Sequence, residues 1–171
     1  MGRRFKQPPS SLDRAQFVAL HGRVYEHSPW IAETLWDAGL KPEHDEVEAL
    51  HRALESIVEA APRARQLALL NAHPDLAGRL AVRGELTAES TSEQAGAGLD
   101  KCSPEEFRRF TELNDAYKKK FGFPFILAVK GKQRAEILAN FEQRIHHDPE
   151  TEFRTALDQV HRIALLRLMD L

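Results

Sequence analysis

The chain has 171 residues, and 24 Lys and Arg against 26 Asp and Glu leave a formal net charge of −2 at pH 7. That length fits one domain, or one domain with an appendage, and a chain of this size buries roughly 70% of its unfolded surface, enough for a real core. A hydrophobic content of 42% and a charged content of 29% exclude disordered and fibrous classes, and the balanced charge lacks the basic face of a nucleic-acid binder.

The first ten residues carry Arg3, Arg4 and Lys6, but Pro8, Pro9, Ser10 and Ser11 follow where a secretory signal would have an apolar stretch. Residues 1–10 are expected to be a flexible segment ahead of a folded domain at 11–171. Phe17, Leu20 and Val24 then recur at helical steps, Ser28-Pro29 opens a short helix, and Val47, Leu50, Leu54 and Val58 form a second stripe. At 71–76 one helix ends and Pro74-Asp75 is expected to start another. Residues 82–102, rich in Gly, Ala, Ser, Thr and Glu, break the rhythm. Ser103-Pro104-Glu105-Glu106 is a helix opening with a serine cap, proline at the first position and glutamate at the third. Phe107, Phe110, Leu113, Tyr117 and Phe121 make the stripe behind it. Gly122 stops that helix, and Pro124 holds Phe123 away from helical backbone, so 122–133 is irregular. Ile137, Leu138, Phe141 and Ile145 form a fourth stripe. Asp148-Pro149 caps a last helix bearing Phe153, Leu157, Val160, Ala164 and Leu168.

No alternating strand pattern, hairpin dipeptide or repeat occurs. The expected fold is all-α, a single-domain bundle of about seven or eight helices with irregular active-site loops. The apolar run Phe125–Val129 is far too short to span a bilayer. The single cysteine, Cys102, excludes an internal disulfide or a cysteine zinc cage and fits a reducing compartment. The terminal Met169-Asp170-Leu171 is not a peroxisomal address. A cytoplasmic protein is expected, with neither membrane nor nucleic acid as a partner.

Three polar residues stand out. Among eight histidines, His21 and His51 fall within apolar stripes and read as partly buried, each with a backbone partner. His44, His146 and His147 read as solvated, and His27 as a residue before a helix start. No pair has helical zinc spacing, so no metal site is expected. His73 sits at an expected helix N-terminus, where the helix dipole favours the neutral imidazole suited to proton exchange, and its spacing reads equally as functional or as a cap. Glu93 lies in the small-residue segment and by itself reads as a solvated loop residue. Arg167 shares the inward face of the last helix, whereas Arg162 does not, so Arg167 requires an anion, either a protein carboxylate or a ligand.

The order of short motifs is more specific. His73-Pro74-Asp75-Leu76-Ala77-Gly78, then Glu89-Ser90-Thr91-Ser92-Glu93-Gln94 and Ala97-Gly98-Leu99, then Leu113-Asn114 with Tyr117, then Lys120-Phe121-Gly122-Phe123-Pro124-Phe125-Ile126 strongly resemble the 2-oxo-4-hydroxy-4-carboxy-5-ureidoimidazoline (OHCU) decarboxylase family of urate degradation. The resemblance covers essentially the whole chain. It implies an all-α homodimer without cofactor that takes OHCU as substrate and makes (S)-allantoin and carbon dioxide. It also implies that His73 is the catalytic acid/base and Glu93 its partner. Pro74, Ser90 and Gln94 would line the substrate, the backbone of Phe125, Ile126, Leu127, Ala128 and Val129 would bind its ring and ureido group, and Arg167 would hold it.

The chemistry agrees on separate grounds. Decarboxylation requires an electron sink, and most such enzymes borrow one from a cofactor. OHCU carries an imine carbon beside the carbon that loses carbon dioxide and can serve as its own sink. Two alternatives remain at this level: a hydrolase of a cyclic amide or ureide, which would use an activated water, and a non-catalytic all-α interaction module.

Overall fold

Helices form where the apolar stripes fall. The computed structural model describes residues 2–171, Leu80 by its backbone alone. In order come α1 (Arg14–His21), α2 (Trp30–Ala38), α3 (Val47–Ala60), α4 (Arg63–Asn71), the short α5 (Arg79–Val82), α6 (Ala88–Gly96), α7 (Pro104–Phe121), α8 (Arg134–Arg144) and α9 (Pro149–Met169). Among the described residues, eight of these helices have eight residues or more, as expected for the all-α class. The extended pairing there is an isolated antiparallel bridge between Arg4 and Glu46.

The chain divides into two compact units. One runs to Ala72 and takes in His161–Leu171; the other is His73–Val160. In the first unit α1 packs on α2 and α2 on α3. The stripe read from the sequence is its core: Val47, Leu50, Leu54 and Val58 are at most 1% exposed, each burial contributing roughly 1.5–3 kcal/mol. The segment expected to be flexible makes specific contacts. The Val47 amide donates to the Arg3 carbonyl at 2.7 Å, Phe5 is buried, and the Ser10 hydroxyl donates to Asp45 at 2.6 Å.

His21 departs from its expected surroundings. It is buried between Phe5 and Phe17, with ring centroids at 5.1 and 4.8 Å, and neither ring nitrogen has a hydrogen-bond partner among the described residues. Burial lowers its pKa to about 4. Unfolded, the ring titrates near 6.5, so between these values only the unfolded chain binds the proton, and stability falls as pH falls through that window. His21→Leu is therefore expected to remove this acid sensitivity. Urea unfolding near neutral pH and near pH 5 should show the parent losing about 2 kcal/mol more than the variant.

In the second unit the Ser103 capping box forms as read: its hydroxyl accepts from the Glu106 amide at 3.1 Å, and its amide donates to the Glu106 carboxylate at 3.0 Å. Gly122 ends α7 in the left-handed region, φ 81°. α7 packs on α8. Tyr117 stands among Phe121, Phe123, Phe125 and Phe141, with centroids between 4.5 and 5.9 Å. At the start of α9, Asp148 accepts from the Thr151 amide at 3.0 Å.

Two local expectations are corrected. The segment 82–102, read as irregular, contains α6, capped by Thr87, whose hydroxyl accepts from the Ser90 amide at 3.2 Å. Its buried residues are Ser90 and Gln94, with Ala97 buried just past its end, all too small or polar to register as an apolar stripe. His44, read as solvated, is buried, and its Nδ1 accepts from the Lys41 amide at 3.0 Å. A turn residue can be buried by its local backbone without any helical pattern to announce it.

Candidate active site

The site is built outward from the turn at 73–78. α4 ends at Asn71 and the next helix begins only at Arg79, so Pro74-Asp75 opens no helix. His73 lies just past a helix C-terminus instead, and the helix field there has the sign opposite to the one expected from the sequence. The imidazole is buried, 8% exposed, and Pro74 is half-buried. Ala77 adopts φ 51°, a left-handed conformation that costs an L-residue about 1–2 kcal/mol. Such strain persists only where surrounding contacts impose it.

Those contacts come from α6 and α7. Gln94 accepts from the Ala77 amide at 3.0 Å and donates to the Asp75 carbonyl at 3.2 Å. Asn114 donates to the Leu76 carbonyl at 3.0 Å, and the Lys118 ammonium meets Asp75 at 2.7 Å. Three successive residues of the turn are thus held by side chains 17 to 43 positions away. Gln94, expected to line the substrate, uses both ends of its carboxamide on this turn. Buried Ser90 sits one helical turn before Gln94, and half-buried Glu93 directly precedes it. The Gln94 bonds therefore bring the helix that carries Ser90 and Glu93 against the turn that carries His73.

The second element is 125–129. All five residues are buried, between 1% and 9% exposed. Phe125 stacks on Phe141 with centroids 3.9 Å apart and planes within 9°, and the Arg144 guanidinium lies 4.4 Å from the Phe125 centroid. The Ile126 carbonyl accepts from Arg144 at 2.7 Å, and the Ala128 amide donates to Gln159 at 2.9 Å. Arg144, Gln159, Asn114 and Lys118 were given no role from sequence. An arginine ending the α8 stripe is the available signal for the first, and the Leu113-Asn114 motif is the signal for Asn114; Gln159 offers none.

Arg167 belongs to the other unit. It is 7% exposed on the inward face of α9, as its spacing required, while Arg162 is exposed. The anion it meets within its own unit is the Glu26 carboxylate at 2.8 Å, and it also donates to the Arg23 carbonyl at 3.3 Å.

The same unit holds a histidine for which the sequence suggested nothing. His161, with Glu55 and Glu59, is the described trio of metal-ligand type, their ligand atoms within 4.8 Å of one another. Both His161 nitrogens are already engaged, Nδ1 with the Tyr25 hydroxyl at 2.7 Å and Nε2 with Glu59 at 2.9 Å. Burial lowers its pKa against the pull of Glu59. His51, in contrast, has the backbone partner expected for it, the His161 carbonyl at 2.8 Å.

A cavity of about 640 Å³ opens in the second unit, with Ala77 and Gln94 in its wall beside Val82, Leu86, Leu99 and Phe107. Val82 is 71% exposed and Phe107 38%. No described helix is long and apolar enough to cross a membrane.

Comparison with known proteins gives concordant results. The OHCU decarboxylase family model matches residues 10–169. The 2-oxo-4-hydroxy-4-carboxy-5-ureidoimidazoline decarboxylase of Haloferax volcanii is 45% identical over 164 residues, covering 96% of this chain and 94% of the relative. The mouse enzyme of the same name is 40% identical over 162 residues, covering 95% and 89%. A crystal structure of (S)-allantoin synthase superposes with a TM-score of 0.72 at 34% identity, over 94% of this chain and about half, 51%, of that one.

Proposed function

The chain belongs to the OHCU decarboxylase family, and we propose that it decarboxylates OHCU to (S)-allantoin in urate degradation, without a cofactor, as a cytoplasmic homodimer. The observation that carries this is the family match over 10–169, which takes in every motif named above.

In the proposed reaction the bond from C4 to the carboxylate breaks and its electron pair forms a C4–C5 double bond. The imine electrons move to the ring nitrogen, which gains a proton, and carbon dioxide departs. The resulting enol collapses to the C4 ketone as a proton reaches C5 on one face, fixing the stereocentre. His73 exchanges these protons, contributing roughly 10²–10⁴-fold as a general acid/base does, and Glu93 is its partner. Pro74 and Ser90 border the ring, with Gln94 holding the turn. Leu127 presents its amide and carbonyl to the ureido edge, because the Ile126 carbonyl and the Ala128 amide are turned toward Arg144 and Gln159. Phe125 and Val129 flank it. Arg167 supplies a permanently charged fork for the anionic substrate. The exposed apolar Val82 and Phe107 support a partner copy on the second unit.

The test generates OHCU in situ from urate with the two preceding activities and follows allantoin by circular dichroism after chelator treatment of this protein. Rapid formation of one enantiomer is expected. Only the slow racemic background would overturn the proposal, and activity lost to chelator would point to the hydrolase alternative.

A further inference from the structure

We propose that the buried Arg144–Glu152 ion pair, together with Gln159, is a positioning device that sets which backbone groups of 125–129 face the substrate; this rests on the decarboxylase reading above. Glu152 is fully buried, and its two carboxylate oxygens collect three side chains. The Arg144 guanidinium binds through Nε at 3.1 Å and Nη2 at 2.9 Å, His147 lies at 3.0 Å, and the Tyr117 hydroxyl donates to it. Burial beside this carboxylate raises the Tyr117 pKa, so that hydroxyl remains a donor. Arg144 then has one nitrogen left, Nη1, and it donates to the Ile126 carbonyl at 2.7 Å.

Stability does not require this arrangement. Buried ion pairs lose so much hydration that apolar side chains of similar volume often stabilise a core as well or better. An apolar pair, however, could not orient a carbonyl. The guanidinium is planar with donors in a fixed fork, so once Glu152 fixes the plane of Arg144, the position of the Ile126 oxygen is fixed too. Gln159 repeats the grip two residues on, accepting from the Ala128 amide at 2.9 Å. Alternate residues of extended backbone present their polar groups to the same side. Holding 126 and 128 inward therefore turns the amide and carbonyl of Leu127 the other way. Residues 124–129 are in neither helix nor turn, so these side chains do the work that neighbouring strands do in a sheet.

Two variants test this. Arg144→Lys keeps a cation beside Glu152 but lacks the fork that joins it to Ile126. Gln159→Leu removes the second grip and leaves the ion pair untouched. In both, hydrogen exchange is expected to quicken in a peptide spanning 122–133 while the rest of 73–160 keeps its protection. KM for OHCU should rise about tenfold with kcat within about threefold of the parent, the pattern of lost binding rather than lost chemistry. Gln159→Glu, which keeps an acceptor oxygen, should hold KM near the parental value. Unchanged exchange at 122–133, exchange raised throughout 73–160, or parental KM in both folded variants would overturn the proposal. A parent that turns over no OHCU would instead overturn the functional reading, and the exchange result would still decide whether the segment is anchored this way.

Discussion

His73→Asn is expected to lower stereoselective allantoin formation by about 10²–10⁴-fold, the usual contribution of a positioned proton donor or acceptor. Asparagine keeps a polar side chain of moderate size in a buried position, so the helical circular dichroism should match the parent, but its amide does not exchange protons near neutral pH. The residual product should be racemic, because carbon dioxide loss can proceed from OHCU itself while delivery of the proton to one face cannot. Glu93→Gln should cost less alone. If the two residues act as a unit, the double variant will be no slower than His73→Asn, since effects within one catalytic unit are not additive. A His73→Asn protein with near-parental rate and handedness would remove His73 from the centre of the reaction.

Glu26→Gln is expected to be the most destabilising conservative change in the first unit. Glu26 is 1% exposed and Arg167 7%, and their contact is 2.8 Å. Breaking a buried ion pair by removing one of its charges costs about 3–5 kcal/mol. For a chain of this length that lowers the melting temperature by about 10 °C. Pairing Glu26→Gln with Arg167→Met should recover part of the loss, because neither member of the pair then carries a charge. A melt within 2 °C of the parent for Glu26→Gln, against the roughly 2–4 °C expected per kcal/mol, would mean that solvent reaches the pair. Arg167 is also the residue proposed above to hold the anionic substrate. Arg167→Lys keeps the charge without the fork, and it should raise KM for OHCU with little change in the melting temperature if the guanidinium holds substrate as well as Glu26.

Much of this protein is local in origin. The four apolar stripes, the Ser103 capping box, the Gly122 stop and the Asp148 cap depend on neighbours three or four residues apart, and each occurs where the sequence placed it, save that α1 and α8 end before the last members of their stripes, Val24 and Ile145. The inward turn of Arg167 followed from helical spacing alone. The family, too, was legible, because its motifs are short and ordered along the chain. Tertiary structure decided the rest. Helix α6 has a face of small and polar residues whose burial depends on the turn at 75–77, so no stripe marked it. By sequence His73 reads at the N-terminus of a helix rather than just past the end of one, because Pro74-Asp75 resembles a helix opening until Gln94 and Asn114 fix that backbone otherwise. The partners Glu26 for Arg167, Ile126 for Arg144 and Glu59 for His161 lie 141, 18 and 102 residues away. Periodicity shows which way a side chain points along its own helix; which group from elsewhere in the chain waits there is settled only when the helices pack, since a buried charge or amide must find its complement among whatever the fold brings within reach.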